Sequence, residues 1–336
     1  MAGGEEEVSL RKRLLEKKTL VSFAVALLIL YLLFSQVDFA ELVANISTAN
    51  PLLYAAAFLV YYASFPLRGL RWRYLLSNIG IRERLAPVTE IFFLSWFANC
   101  IVPAKLGDIY RGYLFKVNYG TSGAQVLSTV YVERIYDVLM LVVLLALTTV
   151  VSFGTHIPGP ISTALVVGVV LVAVLVVGFV VLAFYPAKLR RFIPRRLEGM
   201  AERFSGGLAL SLKFHNLPQI LGLTLGAWLL ESGRLYLVIA ALGALGAGTL
   251  TPAIIMFVAL AAALLTALPI TPAGLGAVEF AIVGVLTLVG VNGELALSIA
   301  ILDRLISYWS LLLLGGIGYI FTDKRGKKQK AKAQGS

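Results

Sequence analysis

Long apolar stretches separated by short polar connections dominate this sequence. A membrane-spanning helix needs about 20 predominantly apolar residues, and six stretches meet or approach that length. The pattern predicts full spans at residues 19–36, 51–67, 124–153, 160–185, 218–245 and 295–321. Two further hydrophobic stretches, 87–104 and 252–290, are interrupted by proline and glycine and do not have the pattern of an ordinary span.

The two interrupted stretches share a five-residue motif, Pro-Ala-x-Leu-Gly. It begins at Pro103 in the first stretch and at Pro272 in the second, 169 residues later. An acidic residue followed by arginine comes about thirty residues after each copy, as Glu133-Arg134 and then, 170 residues on, Asp303-Arg304. Interrupted hydrophobic segments at matching positions of two halves are typical of transporters built from structural repeats. The motifs therefore predict an internal repeat.

The distribution of lysine and arginine predicts the topology. These residues are concentrated in four segments, at 1–18, 68–86, 186–217 and 322–336, and are absent from the connections 37–50, 154–159, 246–251 and 290–294. Because short cytoplasmic loops are rich in lysine and arginine, all four basic segments, including both termini, are predicted to be cytoplasmic. This requires each interrupted stretch to be a re-entrant hairpin, and the two hairpins to enter from opposite sides.

The predicted architecture is thus an all-α polytopic membrane protein with six full spans and two re-entrant hairpins in two inverted repeats. Residues 19–321 form a single transmembrane domain that contains repeat one, 51–153, and repeat two, 218–321. A basic cytoplasmic tail precedes this domain at 1–18. A second basic tail, predicted to be disordered, follows it at 322–336.

Composition agrees with a membrane protein and narrows the chemistry. Hydrophobic residues make up 59% of the chain and charged residues 14%, against about 25% charged residues in soluble domains. The single cysteine, Cys100, excludes an intramolecular disulfide framework, and the two histidines are far apart in sequence, so no metal site or cofactor is predicted. The basic segments flank predicted spans, which favours anionic lipid headgroups over nucleic acid as their partner.

Ionisable residues inside the predicted spans mark a candidate pathway. A charged group near the bilayer centre costs about 2.5–3.5 kcal/mol on insertion scales and by default indicates function. A set of structural salt bridges between helices is the alternative interpretation for any one of these residues. The candidates within or near the spans are Glu133, Arg134, Asp137, Glu231, Arg234, Asp303 and Arg304.

The two motif segments supply the other candidates. Proline and glycine there let helices stop, and a helix end with unpaired N–H groups attracts anions. Candidates around the first motif are Asn99, Pro103, Lys105, Gly107, Asp108 and Arg111, and those around the second are Thr271, Pro272, Gly274, Gly276 and Glu279. A tight turn that needs these residues only for its geometry is the simpler alternative. Arg68, Arg71 and Trp72 are predicted at the cytoplasmic interface, in contact with lipid headgroups.

Four groups of residues together resemble the flippase-like family named for the transmembrane half of lysylphosphatidylglycerol synthetases. The groups are Arg68-x-x-Arg71-Trp72, Asn99-x-x-x-Pro103-Ala104-x-x-Gly107-Asp108-x-x-Arg111, Glu133-Arg134-x-x-Asp137 and Pro269-x-x-Pro272-x-Gly274-x-Gly276-x-x-Glu279. The resemblance covers about residues 20–321 and implies translocation of a phosphate-bearing lipid. Members fused to a synthetase are held to move aminoacylated phosphatidylglycerol, and some archaeal relatives are linked to polyisoprenyl-phosphate sugar pathways.

The sequence departs from this family at two points. No soluble aminoacyl-transferase domain is expected, so lysyl transfer by this polypeptide is not predicted. Lys105 stands where relatives often carry arginine, which keeps the charge but loses the bidentate fork.

The leading hypothesis is therefore a lipid flippase or scramblase in the cell membrane, not an enzyme. A separate lipid-modifying enzyme is a possible partner, and an oligomer is possible. An ion- or proton-coupled carrier of a small solute is the first alternative. An accessory membrane subunit of a lipid-linked glycosyltransferase is the second.

Overall fold

Helices make up the fold, and no β-strand occurs in the part of the chain that the structure describes. The computed structural model describes residues 17–35, 38–102, 105–154, 157, 159–185, 194, 197–211, 214–246, 250–267 and 271–323. The predicted site residue Pro103 and most of both predicted tails lie outside these ranges. The all-helical prediction is confirmed.

Thirteen α-helices are named here in chain order. They are α1 Lys17–Phe34, α2 Phe39–Ser47, α3 Pro51–Asn78, α4 Leu85–Ile101, α5 Leu106–Tyr119, α6 Gly123–Phe153, α7 Gly159–Phe184, α8 Glu198–Ser211, α9 Leu217–Ala241, α10 Pro252–Ala267, α11 Ala277–Leu288, α12 Gly293–Arg304 and α13 Leu311–Phe321. Short 3₁₀ turns occur at Phe214–Asn216, Ala244–Gly246 and Pro272–Gly274. A π-helical segment, Leu305–Ser310, joins α12 to α13.

Among the described residues, four helical segments are long and apolar enough to cross a membrane. They are Gly123–Phe153, Leu165–Ala183, Leu217–Ala241 and Gly293–Phe321, and α2 with α3, bent by 86°, adds a fifth if the pair is one span. Length and composition therefore support four or five spans among the described residues, and the prediction of six spans is not confirmed. The sixth span and the inverted orientation of the repeats therefore stay predictions.

A short helix precedes each Pro-Ala-x-Leu-Gly motif and another follows it, although the second helix of the first half lies beyond the predicted stretch 87–104. The first pair is α4 and α5, with 17 and 14 residues, and the second is α10 and α11, with 16 and 12 residues. At 1.5 Å per residue these helices are about 18–26 Å long, which is less than the hydrocarbon thickness of about 30 Å. Such lengths suit hairpins better than crossings. α5 was not predicted as a helix, because its charged residues obscure the pattern.

Local sequence explains where the long helices begin. Asn50 caps α3 by accepting hydrogen bonds from the backbone N–H groups of Leu52 and Leu53, and Pro51 occupies the first helical position. Ser122 caps α6 in the same way through the N–H of Gln125. Gly120 ends α5 in a left-handed conformation with φ of 66°. These caps fix the helices that carry the charged residues.

The central packing joins the two predicted repeats. α3 packs along α9, which is the most extensive helix pair of the described structure, and the same two helices are the first of each repeat. α4 packs against α3, α5 and α13, while α10 packs against α6 and α11. The core between α3 and α4 is aromatic and includes Phe65, Phe92 and Trp96. The 3₁₀ turn Pro272–Gly274 of the second motif packs against α4, the helix that leads into the first motif.

α5 approaches α4 so closely that only glycine fits at the contact. A Cβ atom on Gly107 would lie 2.1 Å from the carbonyl oxygen of Ser95 and 2.6 Å from Oδ1 of Asn99. The Gly107 N–H also donates to Asn99 Oδ1 at 2.8 Å. We therefore expect Gly107→Ala to destabilise the protein by about 1–3 kcal/mol, as overpacking does, seen as a lower apparent Tm in detergent.

Gly222→Ala in α9 is the matched control, since nothing lies within 4 Å of a Cβ atom at that position. Its Tm should be unchanged or slightly raised, because alanine favours the helix by up to about 1 kcal/mol over glycine. An equal Tm decrease for the two variants would contradict the close approach of α5 to α4.

Candidate functional site

An amphiphilic cavity lies between the two motif segments. It contains about 1280 Å³ of empty space, part of which is open to the outside. Lys105 lines it from the first motif, and Thr271 and Ala273 line it from the second. Apolar side chains such as Leu141 and Ile282 form much of the remaining wall. Residues at both Pro-Ala-x-Leu-Gly motifs therefore line one cavity.

Most predicted site residues lie at this cavity or directly behind it. Those that line it are Asn99, Lys105, Arg134, Asp137, Glu231, Arg234, Thr271, Asp303 and Arg304. Behind the wall, Asp108 and Glu279 pair with the lining residues Arg134 and Arg304, and Arg111 and Glu133 pair with each other. The residues that shape the motif backbone are Gly107, Pro272, Gly274 and Gly276. The functional role of these residues stays a prediction.

Six side chains of the first half form a closed ring of ion pairs. Each arginine contacts two carboxylates, and each carboxylate contacts two arginines. The order around the ring is Arg71, Glu133, Arg111, Asp108, Arg134, Asp137 and back to Arg71. The strongest contacts include Arg71 Nη2 to Glu133 Oε1 and Arg111 Nη1 to Glu133 Oε2, both 2.7 Å. Because every charge has partners, the ring tolerates its burial.

The second half carries an open chain of ion pairs and one separate pair. Arg234 binds Asp303 bidentately, with Nε–Oδ1 and Nη2–Oδ2 distances of 2.8 and 3.0 Å, and also donates to Glu231. Arg68 donates to the other oxygen of Glu231 at 3.1 Å. Within the described part of the chain, Arg304 contacts a single carboxylate, Glu279, at 3.1 Å. Its Nη2 donates to the Ala273 carbonyl oxygen at 3.2 Å, which ties it to the second motif.

Equivalent residues of the two halves make equivalent contacts. The arginine of the first repeat helix pairs with the acid of the acid–arginine motif, as Arg71 with Glu133 and as Arg234 with Asp303. The motif arginine pairs with the acid that follows the Pro-Ala-x-Leu-Gly segment. This contact joins Arg134 to Asp108 in the first half and Arg304 to Glu279 in the second.

The third position of each Pro-Ala-x-Leu-Gly motif is also alike, because Lys105 and Gly274 both have left-handed backbones, with φ of 53° and 71°. The two halves are therefore alike in these ion pairs and in this backbone conformation, while the inverted repeat itself stays a prediction.

The predicted interface role of Arg68, Arg71 and Trp72 is wrong for their side chains. α3 continues to Asn78, eleven residues beyond the predicted end of the span, and these three residues are only 4%, 0% and 0% exposed. The arginines are stabilised by acids on α6 and α9, and Trp72 Nε1 donates to Thr129 Oγ1 at 3.0 Å. Sequence reasoning placed the arginines at the surface because their partners are distant in the chain.

Several cavity residues were not identified from the sequence. Tyr61, Trp96, Trp228 and Ser307 all line the cavity. Tyr61 Oη donates to the Ser307 carbonyl oxygen at 2.9 Å, so α3 supports the π-helical segment directly. Aromatic residues in predicted spans are common in membrane proteins, and no spacing rule distinguished these from the rest.

Lys105 supplies the uncompensated charge of this site. The cations of the network and its rim are Arg68, Arg71, Lys105, Arg111, Arg134, Arg234 and Arg304, and the acids are Asp108, Glu133, Asp137, Glu231, Glu279 and Asp303. Each of the six arginines is in an ion pair. Within the described ranges, the Lys105 side chain makes no ion pair. A cavity with an unpaired cation beside paired arginines is suited to an anion.

A family model and two relatives agree on the type of protein. The family model described as "Lysylphosphatidylglycerol synthase TM region" matches residues 19–315. A UPF0104 membrane protein of Methanocaldococcus jannaschii is 33% identical over 233 residues, which is 69% of this chain and 97% of the relative. A UPF0104 membrane protein of Methanothermobacter thermautotrophicus is 27% identical and covers 90% of this chain and 95% of its own.

A relative with a different name is Glycosyltransferase AglD of Haloferax volcanii. It is 27% identical over 356 residues. The match covers 93% of this chain but only 55% of the glycosyltransferase. The similarity therefore concerns a little more than half of that protein.

Proposed function

Since the chain belongs to the family of the lysylphosphatidylglycerol synthase TM region, we propose that it translocates a phosphate-bearing lipid across the cell membrane. The headgroup passes through the cavity between the two motifs while the acyl or isoprenyl tails stay in the bilayer. The protein is a multi-pass membrane protein. In the proposed topology both termini are cytoplasmic, and the transport itself involves no enzymatic step.

The observation that carries this proposal is the charge of the cavity wall. Five cations and three carboxylates line the cavity, and the excess includes Lys105, which has no acidic partner among the described residues. Apolar residues line the same space, which suits an amphiphile better than a fully hydrated solute. A phosphate that enters the cavity can bind the unpaired Lys105. It can also replace a carboxylate as the ion-pair partner of an arginine.

The acids keep the site stable when it is empty. An unpaired arginine in a low-dielectric cavity is costly, so each is held by a carboxylate until the phosphate replaces that carboxylate. Arg134 is placed for such an exchange, because its side chain is 20% exposed and it reaches both Asp108 and Asp137. Translocation then requires only that the phosphate of the lipid compete with a carboxylate for the same arginine.

The relatives support a lipid-linked role and widen the choice of lipid. A glycosyltransferase among them favours a lipid whose phosphate carries a sugar, alongside anionic and aminoacylated phospholipids. A separate lipid-modifying enzyme is a proposed partner. An accessory role beside a glycosyltransferase is the alternative that the same relative supports.

Reconstituted liposomes test the proposal. Purified protein should accelerate the flipping of at least one labelled phosphate-bearing lipid over protein-free liposomes. Rates that match the protein-free liposomes for every lipid of an anionic, aminoacylated and polyisoprenyl-phosphate panel would overturn it. Uptake of a water-soluble anion into the same liposomes would instead indicate the solute carrier.

A substitution at Lys105 can remove the charge without destabilising the fold. A left-handed residue with a Cβ atom costs about 1–2 kcal/mol, so Lys105→Gly should keep or raise the apparent Tm. The same change removes the unpaired cation, and we expect flipping to decrease at least tenfold, about 1.4 kcal/mol. Lys105→Arg is the control and should retain most of the activity. Full activity in Lys105→Gly would remove the main support of the proposal.

A further inference from the structure

The charge of the cavity wall bears on the kind of headgroup that it accepts. The carboxylates that line the cavity are Asp137, Glu231 and Asp303, and each is held by at least one arginine. A cationic headgroup such as a lysyl ester would have to take one of these acids away from its arginine. It would also bring positive charge into a wall that already has an excess of two cations. An anionic headgroup meets neither cost.

The hydrogen-bonding groups of the wall point to a second property of the headgroup. Five lining residues have a buried polar atom with no hydrogen-bond partner among the described residues. The atoms are Arg68 Nε, Trp96 Nε1, Trp228 Nε1, Thr271 Oγ1 and Ser307 Oγ. Buried polar groups in folded proteins are paired in the great majority of cases. Ten side-chain atoms of the described residues are unpaired in this way, and five of them belong to this one wall. That concentration favours a ligand as the source of the missing partners.

Local structure explains why three of these groups have no partner among the described residues. Thr271 precedes the 3₁₀ turn of the second motif but makes no capping hydrogen bond, and it is 4% exposed. Ser307 lies in the π-helical segment. Trp228 is 8% exposed and joins the apolar residues Leu141 and Leu264 in a core cluster, so its indole N–H is the polar edge of an apolar side chain. These groups come from both sides of the cavity.

From these observations we infer that the site selects an anionic headgroup in which the phosphate carries a neutral, hydroxyl-rich group such as a sugar or polyol. The hydroxyl groups bind the tryptophan, threonine and serine side chains, and the phosphate binds Lys105 and the arginines. This inference rests on the proposed function. It also reverses the preference expected from relatives that move aminoacylated lipid, because a net-cationic headgroup is disfavoured.

A competition between four lipids in liposomes tests the inference. The lipids are phosphatidylinositol, phosphatidylglycerol, phosphatidic acid and lysylphosphatidylglycerol, each labelled in one tail. Phosphatidylinositol should flip faster than the lysyl lipid, on the order of tenfold for the difference in charge. Equal rates, or a faster lysyl lipid, would overturn the inference but leave the proposed function intact. Absence of flipping for all four would count against both.

Two substitutions test the hydroxyl contacts separately from the charge. Trp228→Phe removes one N–H, and Thr271→Val removes one hydroxyl at similar volume. Each should lower the ratio of phosphatidylinositol to phosphatidic acid flipping by about two- to tenfold, the value of one hydrogen bond. The ratio is insensitive to a general loss of active protein. An unchanged ratio in both variants would overturn the role of these groups.

Matched controls lie on the outer surface of the described structure. Trp309 is 48% exposed, and Thr287 is exposed with its hydroxyl bound to helix carbonyls. Neither lines the cavity, so Trp309→Phe and Thr287→Val should leave the ratio unchanged. Soluble glycerophosphoinositol distinguishes a headgroup from a complete lipid. Its transport into liposomes at a rate equal to that of the lipid would overturn the lipid as the substrate.

Discussion

Arg304→Ala should reduce headgroup flipping to the rate of protein-free liposomes. Arg304 lines the cavity and donates to the Ala273 carbonyl oxygen of the second motif. Its one carboxylate partner among the described residues is Glu279. A phosphate therefore displaces one acid to reach it, whereas each arginine of the ring is held by two. Removing the guanidinium also removes the donor that would accompany the phosphate across the cavity. Flipping of tail-labelled lipid by purified protein measures the effect.

Controls separate this loss from misfolding. Arg304→Lys keeps the charge and should retain part of the activity, although it loses the bidentate fork. Arg203→Ala removes an exposed arginine of α8 and should change nothing. Arg196→Ala, in the predicted cytoplasmic connection and outside the described residues, should likewise have little effect. Rates for Arg304→Ala equal to those of the wild type would favour the solute carrier.

Arg71→Ala should produce the largest loss of stability in the protein. Arg71 is fully buried and is bound by Glu133, Asp137 and the hydroxyl of Thr224. Its removal opens the ring and leaves two carboxylates without one of their cations. Removing one partner of a buried ion pair costs about 3–5 kcal/mol. Thermal unfolding in detergent, followed by the elution of monodisperse protein after heating, measures this loss.

Arg73→Ala is the control for Arg71→Ala, because Arg73 lies two residues away on the exposed side of the same helix. Residues two positions apart on a helix do not lie on the same face. Its apparent Tm should remain close to that of the wild type. If both variants unfolded at the same temperature, the buried ring would not be a major source of stability.

Hydrophobicity predicted the long helices well because lipid-facing helices need uninterrupted apolar runs. The predicted stretch 124–153 is Gly123–Phe153 in the structure, and 160–185 is Gly159–Phe184. α5 and α8 were missed, since α5 carries charged residues and α8 lies in a basic connection. Both are partly buried against neighbouring helices, α6 among them. Burial of that kind depends on tertiary contacts that a single sequence does not display.

The sequence predicted most of the charged residues of the candidate site, but it did not predict which of them form ion pairs with each other. The cost of intramembrane charge identified the acids and arginines of the spans without any knowledge of their partners. It failed at Arg71, whose acidic partners are 62 and 66 residues away. A basic residue at the end of an apolar run can anchor the helix at the membrane interface, or it can be one partner of a buried ion pair. Only the position of the acidic partner in the fold decides between these two roles.

The π-helical segment Leu305–Ser310 determines which residues of the last helix face the cavity. In a regular α-helix each residue turns the chain by about 100°, so the eight steps from Asp303 to Leu311 amount to about 800°. Leu311 would then lie about 80° away from Asp303 around the helix axis. A π turn holds more residues per turn, so each residue advances less. Asp303, Ser307 and Leu311 all line the cavity in consequence. One helix thus presents a continuous stripe that changes from carboxylate to hydroxyl to hydrocarbon, which is the polarity gradient of a lipid from its headgroup to its tail.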